Sequence, residues 1–274
     1  MDAEGLHVTV EYLSNSGVIL SPEQKAALQI SLPILRSDHK LKRVKLWGKV
    51  QGIKADYFIA HGVGEDELKD RKAVYSQDCL LWVLLPFATD EMISNAAKLM
   101  GRFTGDPSFI NEYKYIRKTG DGETMQEESV TIEMKEEDRL AAVVASIDQE
   151  VSVVPRGAYI KNPLGGVRMN RSFEGLSIAE CKDLSNFLHF REPQLENNKN
   201  ALLSIDQSLN FLDSIEYDLP KGCWSLQFER GSGMVVLRSL IWFGLVSYHI
   251  PNTTKYGYFY CGTGERNNDL PFML

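Results

Sequence analysis

The sequence predicts an α+β fold made mostly of antiparallel sheets, with a C-terminal three-strand meander as the core and several short capped helices packed on it. Two observations predict this fold. Strand-like runs bounded by glycine or proline close the chain, at Trp224–Glu229, Met234–His249 and Tyr256–Cys261, and the short turns between them favour antiparallel pairing. Several upstream segments begin with a capping residue and have apolar side chains at helical spacing, so they predict short helices.

Two helices are predicted near the N-terminus. The apolar positions of residues 6–17 change from alternation to helical spacing, which favours a helix. Ser21, Pro22 and Gln24 mark a clearer start, because serine caps a first turn, proline suits the first helical position and glutamine completes a capping box. Pro33 is expected to kink or shorten this second helix.

Strand-like segments follow these helices. Val44–Ile53 and Asp56–Val63 are rich in residues that favour strands and are separated by a short glycine-containing turn, so they predict a hairpin. Lys72–Tyr75 and Leu80–Leu85 continue the same pattern. We therefore expect a mixed sheet in this part of the chain.

The middle of the chain combines helix, loop and strand signals. Met92–Met100 predicts a short helix, and residues 101–126 are the most loop-like region because glycine, aspartate and proline recur in turn combinations. Val130–Met134 alternates apolar and polar side chains as a half-buried strand does. Lys135–Gln149 has helical spacing and follows an acidic stretch that favours a helix start.

A capped helix and a polar loop separate the two halves of the chain. Ser177 and Glu180 form a capping box at the start of a further predicted helix. Glu196–Asn200 is polar and is the best candidate for a boundary. We therefore divide the chain into residues 1–195, with helices and a mixed sheet, and residues 196–274, with the antiparallel sheet, and expect them to form one compact α+β unit.

Charge and cysteine content narrow the classes of function. The formal net charge is −7 over 274 residues, which disfavours nucleic-acid binding because phosphates require a surface rich in lysine and arginine. The 4 cysteines lack metal-binding spacing and are expected to be buried free thiols. The longest apolar run, Cys79–Ala88, has about half of the ~20 residues that a spanning helix needs, so we expect no membrane partner.

No residue pattern nominates a reaction centre. The 5 histidines are isolated in sequence, and none belongs to a metalloprotease signature. Gly231-Ser232-Gly233 lies in a turn between predicted strands, whereas the nucleophile of a serine hydrolase lies at a strand-to-helix elbow. Gly62-Val63-Gly64 lacks the lysine and hydroxyl residue of a phosphate loop. We therefore expect no catalytic residue, cofactor site or metal site.

A local basic patch and several aromatic residues are the candidates for binding a partner. The patch comprises Arg36, Lys40, Lys42, Arg43 and Lys45. It is either a solvated rim or a docking site for an acidic or phosphorylated peptide. The aromatic candidates are Tyr57, Trp242, Tyr256, Tyr258 and Tyr260. Tyrosine and tryptophan are enriched at interfaces, and a core position is the alternative for each.

Strand geometry adds two expectations for the C-terminal sheet. If side chains alternate, Tyr256, Tyr258 and Tyr260 share one face. Arg238 is the one charge within the apolar stretch Met234–His249, and a charge in such a position calls for a buried partner.

Several sequence blocks together resemble one protein family. They are Leu46–Gly48, Ala55–Ala60, Val154–Ala158, Asn170–Leu176, Leu188–Pro193, Val235–Leu240, Tyr256–Tyr258, Gly262–Glu265 and Asp269–Leu274. With these blocks the chain resembles the radial spoke head protein 9 homologues of motile cilia over nearly its whole length. The Trp47 and Val235–Leu240 blocks also resemble the spoke head proteins 4 and 6. One departure is Phe243, which stands where the resemblance leads us to expect proline in Trp-Pro-Gly.

The resemblance implies a non-enzymatic structural subunit of the axonemal radial spoke head, needed for head assembly and for the motility of cilia and flagella. In that setting the head relays signals between the central pair and the dynein arms. The implied partners are homologues of spoke head proteins 4 and 6, other head and neck subunits and, transiently, central-pair projections. The implied location is the cytoplasm, the cytoskeleton and the axoneme of motile cilia or flagella, with the kinocilium as a further site.

Two other classes of function stay open at the level of the residues. The first is a small-molecule binding domain or an enzyme with a cryptic site. It would show a deep pocket with convergent polar groups, including a titratable residue with a strongly shifted pKa. The second is an adaptor that binds an acidic peptide through the basic patch.

Overall fold

A computed structural model describes residues 1–119, 126–194, 206 and 208–273. Its strands, numbered in chain order, are β1 Arg43–Val50, β2 Tyr57–Val63, β3 Arg71–Ser76, β4 Val83–Leu84, β5 Ile110–Thr119, β6 Gln126–Lys135, β7 Val153–Pro155, β8 Tyr159–Lys161, β9 Val167–Met169, β10 Phe187–His189, β11 Trp224–Glu229, β12 Met234–Ser239, β13 Leu245–His249 and β14 Tyr256–Gly262. The α-helices are α1 Leu6–Thr9, α2 Pro22–Asp38, α3 Asp90–Ala96 and α4 Glu136–Val151.

One eight-stranded sheet organises the described chain, in the order β11-β12-β13-β14-β1-β2-β3-β4. All neighbours pair antiparallel except β14 and β1, which pair in parallel. The α+β class and the C-terminal meander are thereby confirmed, but the meander has four strands because Met234–His249 supplies two of them. The sheet takes strands from both sides of residue 196, and the predicted boundary loop Glu196–Asn200 lies outside the described residues.

Both faces of this sheet are covered over its central strands, whereas β4 at one edge is exposed. The alternation of β2 shows the division: Tyr57 belongs to one hydrophobic cluster and Phe58 to the other. Helix α4 covers the Tyr57 face with side chains that include Ile147. Helix α2 covers the opposite face with side chains that include Leu32. All seven residues of β2 are consequently buried.

Helix α2 begins as its sequence predicts. The Ser21 hydroxyl accepts the Gln24 amide at 3.1 Å, and the Gln24 side chain accepts the Ser21 amide at 3.0 Å. Pro33 lies inside the helix, which continues to Asp38. The expectation that Pro33 shortens the helix is therefore wrong, since burial of an apolar stripe against the sheet outweighs the one lost backbone hydrogen bond.

Two other local predictions are corrected by tertiary pairing. The described part of residues 101–126 is not a continuous loop, because β5 pairs with β6 over a ten-residue register; residues 120–125 lie outside the described residues. The turn-forming residues Gly105–Pro107 precede that strand rather than extend through it. The helix predicted after Ser177 is replaced by two 3₁₀ turns, Glu180–Lys182 and Leu184–Asn186, followed by β10, which pairs with β7.

Candidate functional site

An exposed apolar surface lies along the β4 margin of the main sheet. It comprises Leu80, Leu81, Val83, Leu84 and Phe87, and we call it the β4-edge surface. Leu81 is 75% exposed and Phe87 is 89% exposed. Strand β4 pairs with β3 on one side, and no strand of the described chain pairs with its other side. An unpaired edge beside exposed leucine and phenylalanine side chains is a typical surface for a protein partner.

The turn before β4 holds these leucines outward. One Asp78 carboxylate oxygen accepts the amides of Leu80 and Leu81, each at 2.9 Å, and also accepts the Ser76 hydroxyl at 2.9 Å. These backbone hydrogen bonds lower the pKa of Asp78 below its ordinary value, so the carboxylate stays charged at neutral pH. Cys79 lies in the left-handed region at φ 62°. The local backbone therefore fixes Leu80 and Leu81 at the surface without a partner.

Helix α2 locks the same segment from the adjacent side. The Ser31 hydroxyl donates to the Cys79 carbonyl at 2.7 Å, and the Trp82 indole donates to the Ser31 hydroxyl at 3.1 Å. Ile30 and Ile34, which flank Ser31 on α2, are also exposed. The β4-edge surface is thus rigidly mounted, and rigidity before binding lowers the entropic cost of association.

A cleft of about 720 Å³ opens between this edge and helix α4. Its floor carries His61 from β2, Arg71 from β3 and Asp148 from α4. The Asp148 Oδ1 atom accepts the Trp47 indole at 2.7 Å and the Ser152 hydroxyl at 2.9 Å. The Asp148 Oδ2 atom lies 3.5 Å from His61 Nε2 and 4.0 Å from Arg71 Nη1, which is beyond ordinary hydrogen-bond length.

The histidine in this cleft is neutral at physiological pH. Burial lowers the pKa of His61 from 6.5 to about 4, and the nearby Asp148 carboxylate offsets this only in part. The contact between His61 and Asp148 is therefore not an ion pair near pH 7. The cleft therefore brings together polar groups from three elements, one of them a histidine whose pKa burial lowers.

A buried carboxylate fixes the other end of α4. Glu136 is fully buried and accepts the Tyr57 hydroxyl at 2.7 Å. It also accepts the amides of Thr104, Gly105 and Asp106 at 2.8, 2.8 and 3.2 Å, and the Thr104 hydroxyl at 2.9 Å. Burial raises the pKa of Tyr57 well above its ordinary value, so the phenol remains a donor. This network joins the sheet, the 104–106 loop and α4.

The aromatic candidates occupy two kinds of position. Tyr57, Trp242 and Tyr260 are buried, whereas Tyr256 and Tyr258 are partly exposed. The Trp242 indole donates to Glu150 at 2.8 Å, and the Tyr260 hydroxyl accepts the Gly264 amide at 2.9 Å. In this chain the three buried side chains have intramolecular partners, and a role for any of the five at an interface stays a prediction.

Arg238, the one charge in its apolar stretch, has hydrogen-bond partners within the chain. Arg238 is half-buried and donates to the Gln227 side chain at 2.7 Å and to the Ser16 hydroxyl at 3.0 Å, so its partners are neutral.

Phe243 is exposed, and the next residue, Gly244, adopts φ 102°. A Cβ atom at Gly244 would lie 2.2 Å from the Cys261 carbonyl oxygen. This turn therefore requires glycine at position 244.

The predicted basic patch is largely neutralised by the chain itself. Arg43 pairs with both Asp2 and Glu67, and Lys45 pairs with Glu67 at 2.7 Å. Further pairs join Lys42 to Glu65 and Arg36 to Glu4. Because these acidic side chains offset the positive charges, the patch has little net charge with which to attract a partner. This disfavours the hypothesis that the patch binds an acidic peptide.

Other chemical sites have little support in the described residues. Within them, no group of three or more histidine, cysteine, aspartate or glutamate side chains could hold a metal ion. All four cysteines are free, and burial raises the pKa of Cys181 and Cys223 to about 11 and that of Cys79 to about 12. In the described chain, no helix has both the length and the apolarity to span a bilayer.

Neither the β4-edge surface nor the cleft floor was predicted from the sequence. The apolar run Cys79–Ala88 was a usable signal for the surface, because it is longer than the two-residue strand it supplies. The cleft floor had no local signal, since Arg71 and Asp148 lie on different elements and meet only through packing of α4 on the sheet.

Comparison with known proteins shows the family to which this chain belongs. A family model described as radial spokehead-like protein matches residues 2–137. The full chain is similar to proteins named radial spoke head protein 9 homolog: 49% identical to the one from Homo sapiens, 51% to that from Bos taurus and 50% to that from Danio rerio, in each case over 100% of both chains. The chain belongs to the radial spoke head protein 9 family and is therefore a radial spoke head protein.

Proposed function

We propose that this chain is a non-enzymatic structural subunit of the axonemal radial spoke head. Its similarity over the full length to radial spoke head protein 9 homologues carries this proposal. In this role it is needed for assembly of the head and for the motility of cilia and flagella. Its location is the axoneme, with the kinocilium as a further site.

The β4-edge surface supports the structural part of this proposal. The occupant is a segment of another spoke head protein, and the homologues of spoke head proteins 4 and 6 are the first candidates. An apolar surface beside an unpaired strand suits a partner that adds an extended segment, because the backbone supplies hydrogen bonds and the leucines supply apolar contact. Tyr256 and Tyr258 are a second, smaller candidate contact, since both are partly exposed on β14.

The packing of the chain supports a role in relaying signals between the central pair and the dynein arms. A subunit that relays force between the central pair and the dynein arms has to transmit displacement without deforming. One eight-stranded sheet with a hydrophobic cluster on each face is suited to that task, because close-packed interiors have low compressibility. Contacts with other head and neck subunits, and transient contacts with central-pair projections, complete the proposed relay.

Cross-linking in isolated axonemes tests the proposal. A tagged copy of the chain is expressed in ciliated cells, the axonemes are purified, and cross-linked neighbours are identified by mass spectrometry. We expect the chain in the axonemal fraction, cross-linked to homologues of spoke head proteins 4 and 6. Recovery of the chain only outside axonemes, without any spoke head protein, would contradict the proposal.

A further inference from the structure

Strand β11 forms the other edge of the main sheet, and its outer side is open. It pairs with β12 on one side, and within the described residues no strand pairs with its other side. The strand runs over six residues, Trp224–Glu229, without a lysine or a proline, the residues with which natural sheet edges resist further pairing. Strand β4 has two residues and is followed closely by Pro86. Of the two edges, β11 is therefore the longer and the less protected.

The register with β12 shows which backbone groups of β11 face outward. Residues in an antiparallel pair alternate between exchanging hydrogen bonds with the neighbouring strand and turning those groups away from it. The Leu240 amide donates to the Cys223 carbonyl at 2.9 Å, so every second residue from Cys223 to Glu229 bonds towards β12. The residues between them turn their amide and carbonyl groups to the open side of the strand, and they are Trp224, Leu226 and Phe228.

These outward groups are self-complementary in antiparallel pairing. When Leu226 lies opposite Leu226 of a second copy, Trp224 of each copy lies opposite Phe228 of the other. Every outward residue then faces another outward residue, and each such pair exchanges two hydrogen bonds. A shift of two residues in either direction leaves one outward residue of each copy without such a partner. The register centred on Leu226 therefore makes the most hydrogen bonds, and it relates the copies by a twofold axis.

The side chains of β11 suit the same register. Trp224 and Leu226 pack on the hydrophobic cluster beneath the sheet, and Phe228, on the same face by alternation, is 40% exposed. Pairing places Phe228 opposite Trp224 of the second copy, and aromatic pairs across strands are stabilising. On the other face the exposed Ser225 and Gln227 lie opposite each other, so that polar side chains meet polar side chains.

The charges at the ends of β11 are compatible with self-pairing. Glu229 is the one charge in the strand, and the register puts it opposite the neutral Cys223 of the second copy. Lys221, in the turn before β11, lies at the same end as Glu229 of the second copy, so opposite charges approach each other there. Tyr217 and Leu219, in the segment that leads into β11, are exposed and extend the apolar surface beside the edge.

We propose that two copies of this chain associate through β11 as an antiparallel, twofold-symmetric pair, so that the main sheet of one copy continues into that of the other. Strand β4 lies at the opposite end of the strand order from β11. The dimer therefore leaves the β4-edge surface of each copy free for another subunit.

Sedimentation velocity of the purified full chain tests whether the dimer forms. We expect a species with twice the mass of a single chain, whose share rises with protein concentration. A single chain at every concentration would overturn the proposal.

A charged substitution on the edge tests whether β11 is the surface used. Phe228→Lys puts a lysine on the edge strand, and Phe272→Lys makes the same change at an exposed phenylalanine near the C-terminus. We expect Phe228→Lys to weaken dimerisation at least tenfold, because lysine on an edge opposes pairing, and Phe272→Lys to leave it unchanged. Urea denaturation of both variants checks that each is folded. Equal dimerisation by the two folded variants would place the contact elsewhere and overturn the proposal.

Disulfide cross-linking tests the register without disturbing the apolar face. Ser225→Cys and Gln227→Cys are made as separate variants, since both positions are exposed. Position 225 of one copy lies opposite position 227 of the other, in a pair whose Cα atoms are about 4.5 Å apart, which a disulfide can span. Two copies of the same variant place their cysteines on a diagonal, about 7–8 Å apart.

The comparison is between an equal mixture of the two variants and each variant alone, with diamide as the oxidant. The unmodified chain, whose own cysteines are free, measures the background. We expect several-fold more cross-linked dimer in the mixture than in either variant alone. Equal cross-linking in all three samples, or none above the background, would overturn the proposal.

Discussion

Tyr57 on β2 donates a 2.7 Å hydrogen bond to Glu136, the first residue of α4. Both side chains are buried, and the same carboxylate accepts the backbone of the 104–106 loop. One side chain therefore links a central strand, a loop and the main covering helix. The position of α4 on this face of the sheet therefore depends on these hydrogen bonds.

Removing the Tyr57 hydroxyl should weaken the whole subunit. Tyr57→Phe keeps the ring and deletes one donor to a buried carboxylate, so we expect a loss of about 2 kcal/mol in the free energy of unfolding. Urea denaturation at neutral pH measures it. Tyr217→Phe, at an exposed position, is the matched control and should change stability by less than about 0.5 kcal/mol. Equal stability of the two variants would show that the hydrogen bond from Tyr57 to Glu136 does not stabilise the fold.

Gly48 lies where the two halves of the main sheet meet. A methyl group at this position would lie 2.3 Å from the Tyr260 carbonyl oxygen and 2.8 Å from the Tyr260 nitrogen, and both are backbone atoms that cannot rotate away. Gly48→Ala should therefore lower the free energy of unfolding by about 3 kcal/mol. Gly231→Ala meets no atom within 4 Å and serves as the control. A near-neutral Gly48→Ala would mean that β1 and β14 are not paired this closely.

The buried His61 should make stability depend on pH. Burial lowers its pKa from 6.5 to about 4, so between these values the unfolded chain binds more protons than the folded chain. Stability is fully present above about pH 6.5 and falls as pH drops toward 4, with a loss on the order of 3 kcal/mol from this group. Burial also lowers the pKa of His249, which adds a loss of the same sign.

Denaturant titrations from pH 7 to pH 4 measure this dependence. His61→Gln should flatten the profile in that range, whatever its effect on stability at pH 7, because the titrating group is gone. His7→Gln, at an exposed position, should reproduce the original profile. A His61→Gln profile as steep as that of the unmodified chain would assign the pH dependence to other groups.

The partly exposed tyrosines of β14 provide a separate test of the interface prediction. Tyr258→Ala should reduce assembly of a reconstituted head if this side chain contacts a partner. Tyr57→Ala should also reduce assembly, but through loss of stability, because Tyr57 is buried. Assembly and denaturation are therefore measured on both variants. Intact assembly with both substitutions would count against a role for these aromatic residues.

The sequence predicted the local elements better than their arrangement. Helix α2 was predictable because its capping box involves residues three positions apart. The β1–β2 hairpin was predictable because its two strands are adjacent in the chain. The parallel pairing of β1 with β14 joins residues more than 200 positions apart, and no local pattern encodes it.

The same distinction explains which site residues were found. The tyrosines of β14 were found because aromatic density is visible in the sequence, and the alternation that puts Tyr260 and Phe259 in different clusters was predicted correctly. A core position was the alternative for each of them; Tyr260 is buried, whereas Tyr256 and Tyr258 are partly exposed. Arg71 and Asp148 become a pair only after α4 packs across β2 and β3, so the cleft could be recognised only in the folded chain.

Incorporation of a β4-edge variant into axonemes tests most directly the claim that this chain is a structural subunit docked through that edge. Leu81→Asp adds a charge to the surface, and Leu164→Asp adds the same charge at a fully exposed turn residue elsewhere. Each tagged variant is quantified in purified axonemes relative to the unmodified chain. We predict at least a tenfold loss of Leu81→Asp and normal incorporation of Leu164→Asp. Normal incorporation of Leu81→Asp, with unchanged cross-links to spoke head proteins, would contradict the account.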